Sequence, residues 1–312
     1  MKFFFLFLFF LLSSIFVFAL KPGTYLEAID GLKISYVVKG KGPVMLAGHP
    51  NSGKIAYQLT LQSLEQYFTM VYYDPRGTGA SEAPASLEGY NLQFLVTELE
   101  ALRHKLAADK IWLFGHSDQS SVALAYALAY PQHVSGLILS GTSYAGTVKE
   151  MAARRKATEA DRAATSAWFA QVVRDWDYME AYNTTVDSLG RDLSMVPLKW
   201  WCYNEASAKK VITVAREVSR AGRRKPIEGR YWQADAAEME AYLNLQKCFK
   251  EIAARTLILN GRYDTNNPPA YAQQLKDSLP HATLVLLDEA GHFPWVESPE
   301  SFFKALKQWL PS

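Results

Sequence analysis

The chain has 312 residues, 49% hydrophobic and 21% charged, with 33 Lys and Arg against 31 Asp and Glu for a formal net charge of +2. This is the composition of an ordinary globular protein, long enough for a large core or for a core plus a smaller domain. The near-neutral balance excludes the basic footprint of a nucleic-acid binder. The local clusters Arg154-Arg155-Lys156 and Arg223-Arg224-Lys225 read as solvated helix faces. No spacing of Cys or His suits a metal, so no metal site is expected.

At the N-terminus, Lys2 is followed by an uncharged run from Phe3 to Leu20, with small residues at the positions around Val17-Phe18-Ala19 that a signal peptidase prefers. Residues 1–19 read as a secretory signal cut after Ala19; the alternative is an uncleaved anchor, since the run is about long enough to span a bilayer. Either way the body lies outside the cytosol, secreted or periplasmic. Contact with a membrane is expected only through an uncleaved leader. The two cysteines, Cys202 and Cys248, then have either a disulfide or two buried thiols open to them.

Tyr25 to Ile29 and Leu32 to Val38 read as strands joined by Asp30-Gly31, a two-residue hairpin turn. Val44 to Ala47 is a buried strand ending in Gly48-His49-Pro50-Asn51-Ser52-Gly53. An amphipathic helix is expected from Ile55 to Tyr67, a strand from Phe68 to Tyr73, and a helix from Leu92 to Ala108. The strand Ile111–Phe114 runs through Gly115-His116-Ser117 into a helix ending near Tyr130-Pro131, and Val134 to Ser140 is a further strand. From about Tyr144 to Ala253 the rhythm breaks into helices carrying Trp168, Trp176, Trp200, Trp201 and Trp232. It returns with strand Thr256 to Leu259, helix Ala270 to Leu279, strand Ala282 to Leu287 and a last helix Pro299 to Leu310. The predicted class is α/β: a mostly parallel sheet with helices on both faces and a helical cap insertion. The domains are residues 20–143 and 254–312 for the sheet and 144–253 for the cap. Ligands bind at the carboxyl ends of such strands.

Three groups fall at those ends. Ser117 follows the turn glycine by two residues, where a strand-to-helix elbow exposes a hydroxyl beside the N–H of the next residue, Asp118. Asp264 follows the strand ending near Leu259, and His292 follows the last strand. A serine hydroxyl is a poor nucleophile until a neutral base takes its proton, and the acid fixes and stabilises that base. Asp118 as nucleophile is disfavoured, because His116 would then be the turn residue and is too large. His116 reads as packing, His49 as shaping the first loop, and His104, His133 and His281 as lying away from any acid or serine motif.

The stretches Asp74-Pro75-Arg76-Gly77-Thr78-Gly79-Ala80-Ser81, Gly115-His116-Ser117, Gly261-Arg262-Tyr263-Asp264 and Gly291-His292-Phe293-Pro294-Trp295-Val296-Glu297-Ser298-Pro299-Glu300 resemble the α/β-hydrolase superfamily, in its proline iminopeptidase-like branch. The resemblance implies a Ser117–His292–Asp264 triad acting on a small-molecule or short peptide substrate, an amide, peptide or ester, with no metal or organic cofactor. It implies an aminopeptidase that removes an N-terminal residue, most often proline; a carboxylesterase or lactonase of the same fold is the alternative. A catalytically weak, hydrolase-like binding protein is the third reading. Two departures stand out. The loop His49-Pro50-Asn51 replaces a glycine-rich one, and Pro50 has no N–H, so the oxyanion donors are expected to be Asn51 and Asp118. Gln119 stands where a small residue is usual. His49, Gln119, Trp200 and Trp201 are the expected pocket residues. An aminopeptidase would also need a cap acid for the substrate ammonium, with candidates Asp177, Glu180, Glu205, Glu228, Asp235, Glu238 and Glu240.

Overall fold

The computed structural model describes residues 20–142, 148–220 and 236–310. The leader, Trp232, Glu228, Asp235 and the cluster Arg223-Arg224-Lys225 lie outside those residues, as does the side chain of Glu238. The described chain opens with β1 (Gly23–Ile29) and β2 (Leu32–Gly40), joined at Asp30 (φ 50°) and Gly31 (φ 78°). Two successive positive φ values give the tight turn whose twist matches that of the strands.

Six further strands follow: β3 (Val44–Ala47), β4 (Thr69–Tyr73), β5 (Ile111–His116), β6 (Val134–Ser140), β7 (Thr256–Gly261) and β8 (Ala282–Leu287). They complete an eight-stranded sheet in the order β1-β2-β4-β3-β5-β6-β7-β8, with β2 antiparallel to its neighbours and β3 to β8 parallel. Strand β3 lies between β4 and β5, so the chain reverses its direction of travel across the sheet there. In such sheets the crevice opens where the order reverses. The loop after β3 and the elbow after β5 are therefore neighbours, although they are far apart in sequence.

The two-residue period of the strands divides the core. Leu113 faces one layer, with Leu95, Leu99 and Leu102 of α2 (Leu92–Lys105) and Val122 and Tyr126 of α3 (Asp118–Ala129). Trp112 and Phe114 face the other, with Tyr57 of α1 (Ile55–Thr60) and Phe302 and Leu306 of the terminal helix (Pro299–Trp309). Helix α1 is shorter than the Ile55–Tyr67 expected. It stops at Leu61, and a single 3₁₀ turn, Gln62–Leu64, follows. Leu61 and Leu64 are both fully buried, so tertiary packing overrides the helical spacing of the segment.

Between β6 and β7 lie α4 (Val148–Thr165), α5 (Ala167–Tyr182), α6 (Val196–Trp201), α7 (Glu205–Arg220) and α8 (Ala236–Gln246). Ser166 separates α4 from α5 and caps the latter by accepting the Phe169 N–H (3.2 Å). The insert has its own small core of Phe169, Val172, Leu193, Val196 and Trp200. Its last helix returns to the main body, since Tyr242 and Phe249 pack into the α2–α3 layer of the sheet domain. Cys202 and Cys248 are unpaired thiols, and Cys202 donates to Leu198 O (3.0 Å). The remaining helices are α9 (Pro269–Ser278), α10 (Pro294–Glu297) and α11 (Pro299–Trp309).

Helix α3 approaches β5 so closely that a Cβ on Gly115 would meet Ser120 Cα at 2.8 Å and Leu139 Cδ2 at 2.9 Å. Gly115→Ala is expected to destabilise the protein by about 1–3 kcal/mol through overpacking. Urea unfolding measures this, and an unchanged midpoint would contradict the close approach.

Candidate active site

Ser117 stands between β5 and α3 with φ 52° and ψ −122°. A non-glycine residue adopts such a backbone only where its surroundings impose it. Here Ser117 N donates to Ser140 O (3.0 Å) and Ser117 O accepts from Ser120 N (2.9 Å), which pins both sides of the turn. Asp118 follows as the first residue of α3, so its amide belongs to the positive end of the helix.

The other two groups come from the loops after β7 and β8. His292 Nδ1 lies 2.8 Å from Asp264 Oδ2, and both residues are buried. Asp264 Oδ1 accepts the Asn267 N–H (2.8 Å), and the Asn267 side chain donates to Gly141 O (2.6 Å). With its Nδ1–H donating to the carboxylate, the imidazole presents Nε2 as an acceptor. Gly141 (φ 54°) makes room for the ring, since a Cβ there would lie 2.9 Å from both Cε1 and Nδ1 of His292. Ser117 and His292 line one cavity of about 470 Å³. The structure thus brings together Ser117, His292 and Asp264, which the sequence places far apart.

The loop after β3 folds differently from the expected oxyanion donor arrangement. His49 and Gly53 form a bridge (His49 N to Gly53 O 3.2 Å, Gly53 N to His49 O 2.9 Å) that turns the loop back on itself. Asn51 N–H, expected to face the substrate, donates to His49 Nδ1 (3.1 Å) instead. The Asn51 side chain donates to Asp118 Oδ2 (3.1 Å), tying this loop to the elbow helix. Burial, followed by the nearby His292, pushes His49 down to about 3, so its ring is neutral and free to accept. Burial and the neighbouring His292 and His49 hold His116 well below the ordinary imidazole range. His116 Nε2 donates to His292 O (3.0 Å) and its Nδ1 faces Tyr57 OH (3.3 Å). His116 therefore braces His292 through its backbone carbonyl.

Two expected pocket residues are elsewhere. The Gln119 side chain turns into the protein and donates to Tyr73 OH (3.0 Å), because the α3 face it occupies packs onto the sheet. Trp200 belongs to the cap core, where its Nε1 donates to Glu159 Oε2 (2.5 Å). His49, Asn51, Asp118 and Trp201 do line the cavity. Of the candidate cap acids, Asp177, Glu180, Glu205 and Glu240 do not. Glu180 takes the Trp176 Nε1–H (2.8 Å) and Glu205 pairs with Lys209 (2.9 Å). The cap wall is apolar instead, formed by Leu198 and by Val211, Val214, Ala215 and Val218 along one face of α7. Arg155, expected on a solvated helix face, lines the cavity as well. His104 and His133 each approach Glu100 at 3.1 Å, and neither lines the cavity.

Two buried charges that sequence reasoning did not single out join cap and sheet. The Arg162 guanidinium of α4 donates to Tyr263 O (2.8 Å), Cys202 O (2.7 Å), Tyr203 O (3.1 Å) and Thr265 Oγ1, and stacks 3.7 Å from the Phe169 ring centroid. Glu297 accepts the N–H groups of Tyr203 (2.7 Å), Gly291 (3.0 Å) and Phe293 (3.0 Å), while burial pushes its carboxyl up. His292 N–H donates to Trp201 O (2.8 Å). A glutamate five residues beyond the histidine, in an otherwise apolar stretch, was the only signal for Glu297.

The comparisons with known proteins agree with this architecture. A family model described as alpha/beta hydrolase fold matches residues 44–299. A proline iminopeptidase of Saccharolobus solfataricus is 28% identical over 300 residues, covering 91% of this chain and 91% of the relative. Among solved structures, a proline iminopeptidase-related protein from Thermus thermophilus superposes with a TM-score of 0.70 at 21% identity, covering 93% of this chain and 97% of the other. An N-acyl homoserine lactone degrading enzyme does so with a TM-score of 0.68 at 21% identity, covering 91% and 99%.

His49 and His116 bind a proton more readily unfolded than folded, because their folded values lie below the unfolded value of about 6.5. Stability is therefore fully present above about pH 6.5 and is lost as pH falls toward about 3, the value to which His49 is pushed. Each histidine adds up to about 1.4 kcal/mol per pH unit to that slope. In denaturant unfolding at pH 7, 6 and 5, His49→Asn is expected to lower the slope by about one proton. An unchanged slope would contradict the neutral ring.

Proposed function

The chain belongs to the α/β-hydrolase family, and on that premise we propose that it is an exported serine hydrolase cleaving small carboxylic esters or lactones through an acyl-enzyme. The observation that carries this reading is the facing of Ser117, on its elbow, and the Asp264-bound His292 into one cavity. Ser117 Oγ attacks the carbonyl carbon while His292 Nε2 takes its proton. The tetrahedral oxyanion is received by the Asp118 N–H at the start of α3 and by an amide of the loop after β3. His292 then protonates the leaving alcohol, and Asp264 stabilises the imidazolium at each stage. Water repeats the sequence against the acyl-serine to release the acid. The Asn51 amide must leave His49 Nδ1 to act as the second donor; the 3.1 Å bond it makes there is one that a developing oxyanion outcompetes.

The walls support an ester or lactone over a peptide. The α7 valines offer an apolar surface for an uncharged hydrocarbon portion. None of the described candidate cap acids reaches the cavity to hold a free ammonium. Two observations favour the aminopeptidase reading: Asp118 puts a carboxylate in the cavity beside the nucleophile, and relatives covering most of the chain are proline iminopeptidases.

Labelling with a fluorophosphonate probe is expected for the wild type and is lost in Ser117→Ala. Asp264→Asn should lower kcat by about three to four orders of magnitude with KM little changed. Turnover of short acyl esters and lactones should exceed that of proline anilide, and the reverse ranking would select the aminopeptidase. Absence of labelling in a folded protein contradicts the serine mechanism. For export, mass spectrometry of the protein recovered outside the cytosol is expected to find Leu20 as its N-terminus, and an intact Met1 there would contradict cleavage.

A further inference from the structure

Among the described residues that line the cavity is one cation for which the ester-hydrolase chemistry has no use. Among the described lining residues, Arg155 is the only lysine or arginine. It lies on α4 between two exposed basic neighbours, Arg154 and Lys156, yet it is itself half-buried. Its Nε donates to Asn266 O (2.7 Å), two residues beyond Asp264, so the acid loop holds the guanidinium against the cavity. Arg154 goes elsewhere and stands 5.7 Å from the centroid of the Tyr271 ring. The histidines beside Ser117 add no fixed positive charge, since burial keeps His49 and His116 neutral. The one carboxylate among the described lining residues, Asp118, is tied to Asn51.

A guanidinium is always charged and presents its donors in a planar fork that matches a carboxylate. With Nε bound to Asn266 O, the terminal amino groups remain to form that fork. The apolar α7 wall lowers the local dielectric and strengthens the attraction. We propose that Arg155 anchors a carboxylate on the substrate, so that the cavity selects half-esters of short dicarboxylic acids over neutral esters. The scissile ester is then held at Ser117 and the free carboxylate at α4, with the connecting methylenes along the valines. Hydrolysis consumes one water and releases the dicarboxylate and the alcohol. This specificity rests on the hydrolase reading above, but its test does not require turnover.

The test is binding to Ser117→Ala protein by isothermal titration calorimetry, with monomethyl glutarate beside the neutral dimethyl glutarate. Monomethyl glutarate is expected to bind about tenfold or more tightly, with the preference shrinking as salt rises. Adding Arg155→Gln should abolish the preference, Arg155→Lys should retain part of it, and Arg154→Gln should leave it as it was. Equal affinities in the Ser117→Ala protein, or a preference that survives Arg155→Gln, would overturn the proposal. These outcomes are read whether or not the wild type labels with fluorophosphonate, so failure of the anchor and failure of the serine mechanism are separate results. If Arg155→Gln does not fold, Arg155→Lys decides: it keeps the charge and loses the fork, so an undiminished preference in it contradicts bidentate anchoring.

Discussion

Two buried charges that bind backbone rather than each other hold the active cavity together. Arg162 and Glu297 are both almost fully excluded from water. Removing an ion from water costs several kcal/mol even after relaxation, and the cost is offset only when its hydrogen-bonding capacity is met. Arg162 meets it with carbonyls of the acid loop and of the α6–α7 turn, and burial lowers its guanidinium only to about 10, so it stays charged. Glu297 meets it with amides on either side of His292 and with one from the same turn. The segment Trp200–Tyr203 is thus gripped from both sides. The loops carrying Asp264 and His292 are fixed to the cap by the same contacts, so cap position and the placing of the Asp264–His292 pair cannot vary independently.

Strain in the elbow fits that rigid frame. The positive φ of Ser117 is unfavourable for a side chain bearing a Cβ, and it is held by backbone bonds to Ser140 and Ser120. His292 is braced in the same way, with His116 bound to its carbonyl and Gly141 leaving room for its ring. Groups held in place beforehand need little reorganisation when charge develops on the substrate, and that is where most electrostatic catalysis resides. The loop bearing Asn51 is the exception. Its amide turns toward His49, so in the proposed mechanism this loop must adjust before Asn51 can serve as an oxyanion donor.

The strands and the elbow were legible because their signals are local. Strand limits follow from short apolar runs between turn residues, and Val44–Ala47, Val134–Ser140 and Ala282–Leu287 match the observed strands residue for residue. Positions decided by tertiary contact were not legible. Leu61 ends α1 because of what packs around it, and Gln119 turns inward to reach Tyr73, a partner 46 positions away. The adjacent pair Trp200 and Trp201 divides between cap core and cavity, since consecutive residues on a helix point in different directions. Arg155 was hidden by its neighbours: three consecutive basic residues look like one solvated face, and only the acid loop opposite separates them.

The proposed mechanism stands on a covalent acyl intermediate at Ser117. Rapid quenching during turnover of an activated ester, followed by intact-mass and peptide mass spectrometry, tests it directly. The account predicts a mass increase equal to the acyl group, mapped to the peptide at Ser117 and absent in Ser117→Ala. An adduct on Asp118, or turnover that survives Ser117→Ala undiminished, would contradict it.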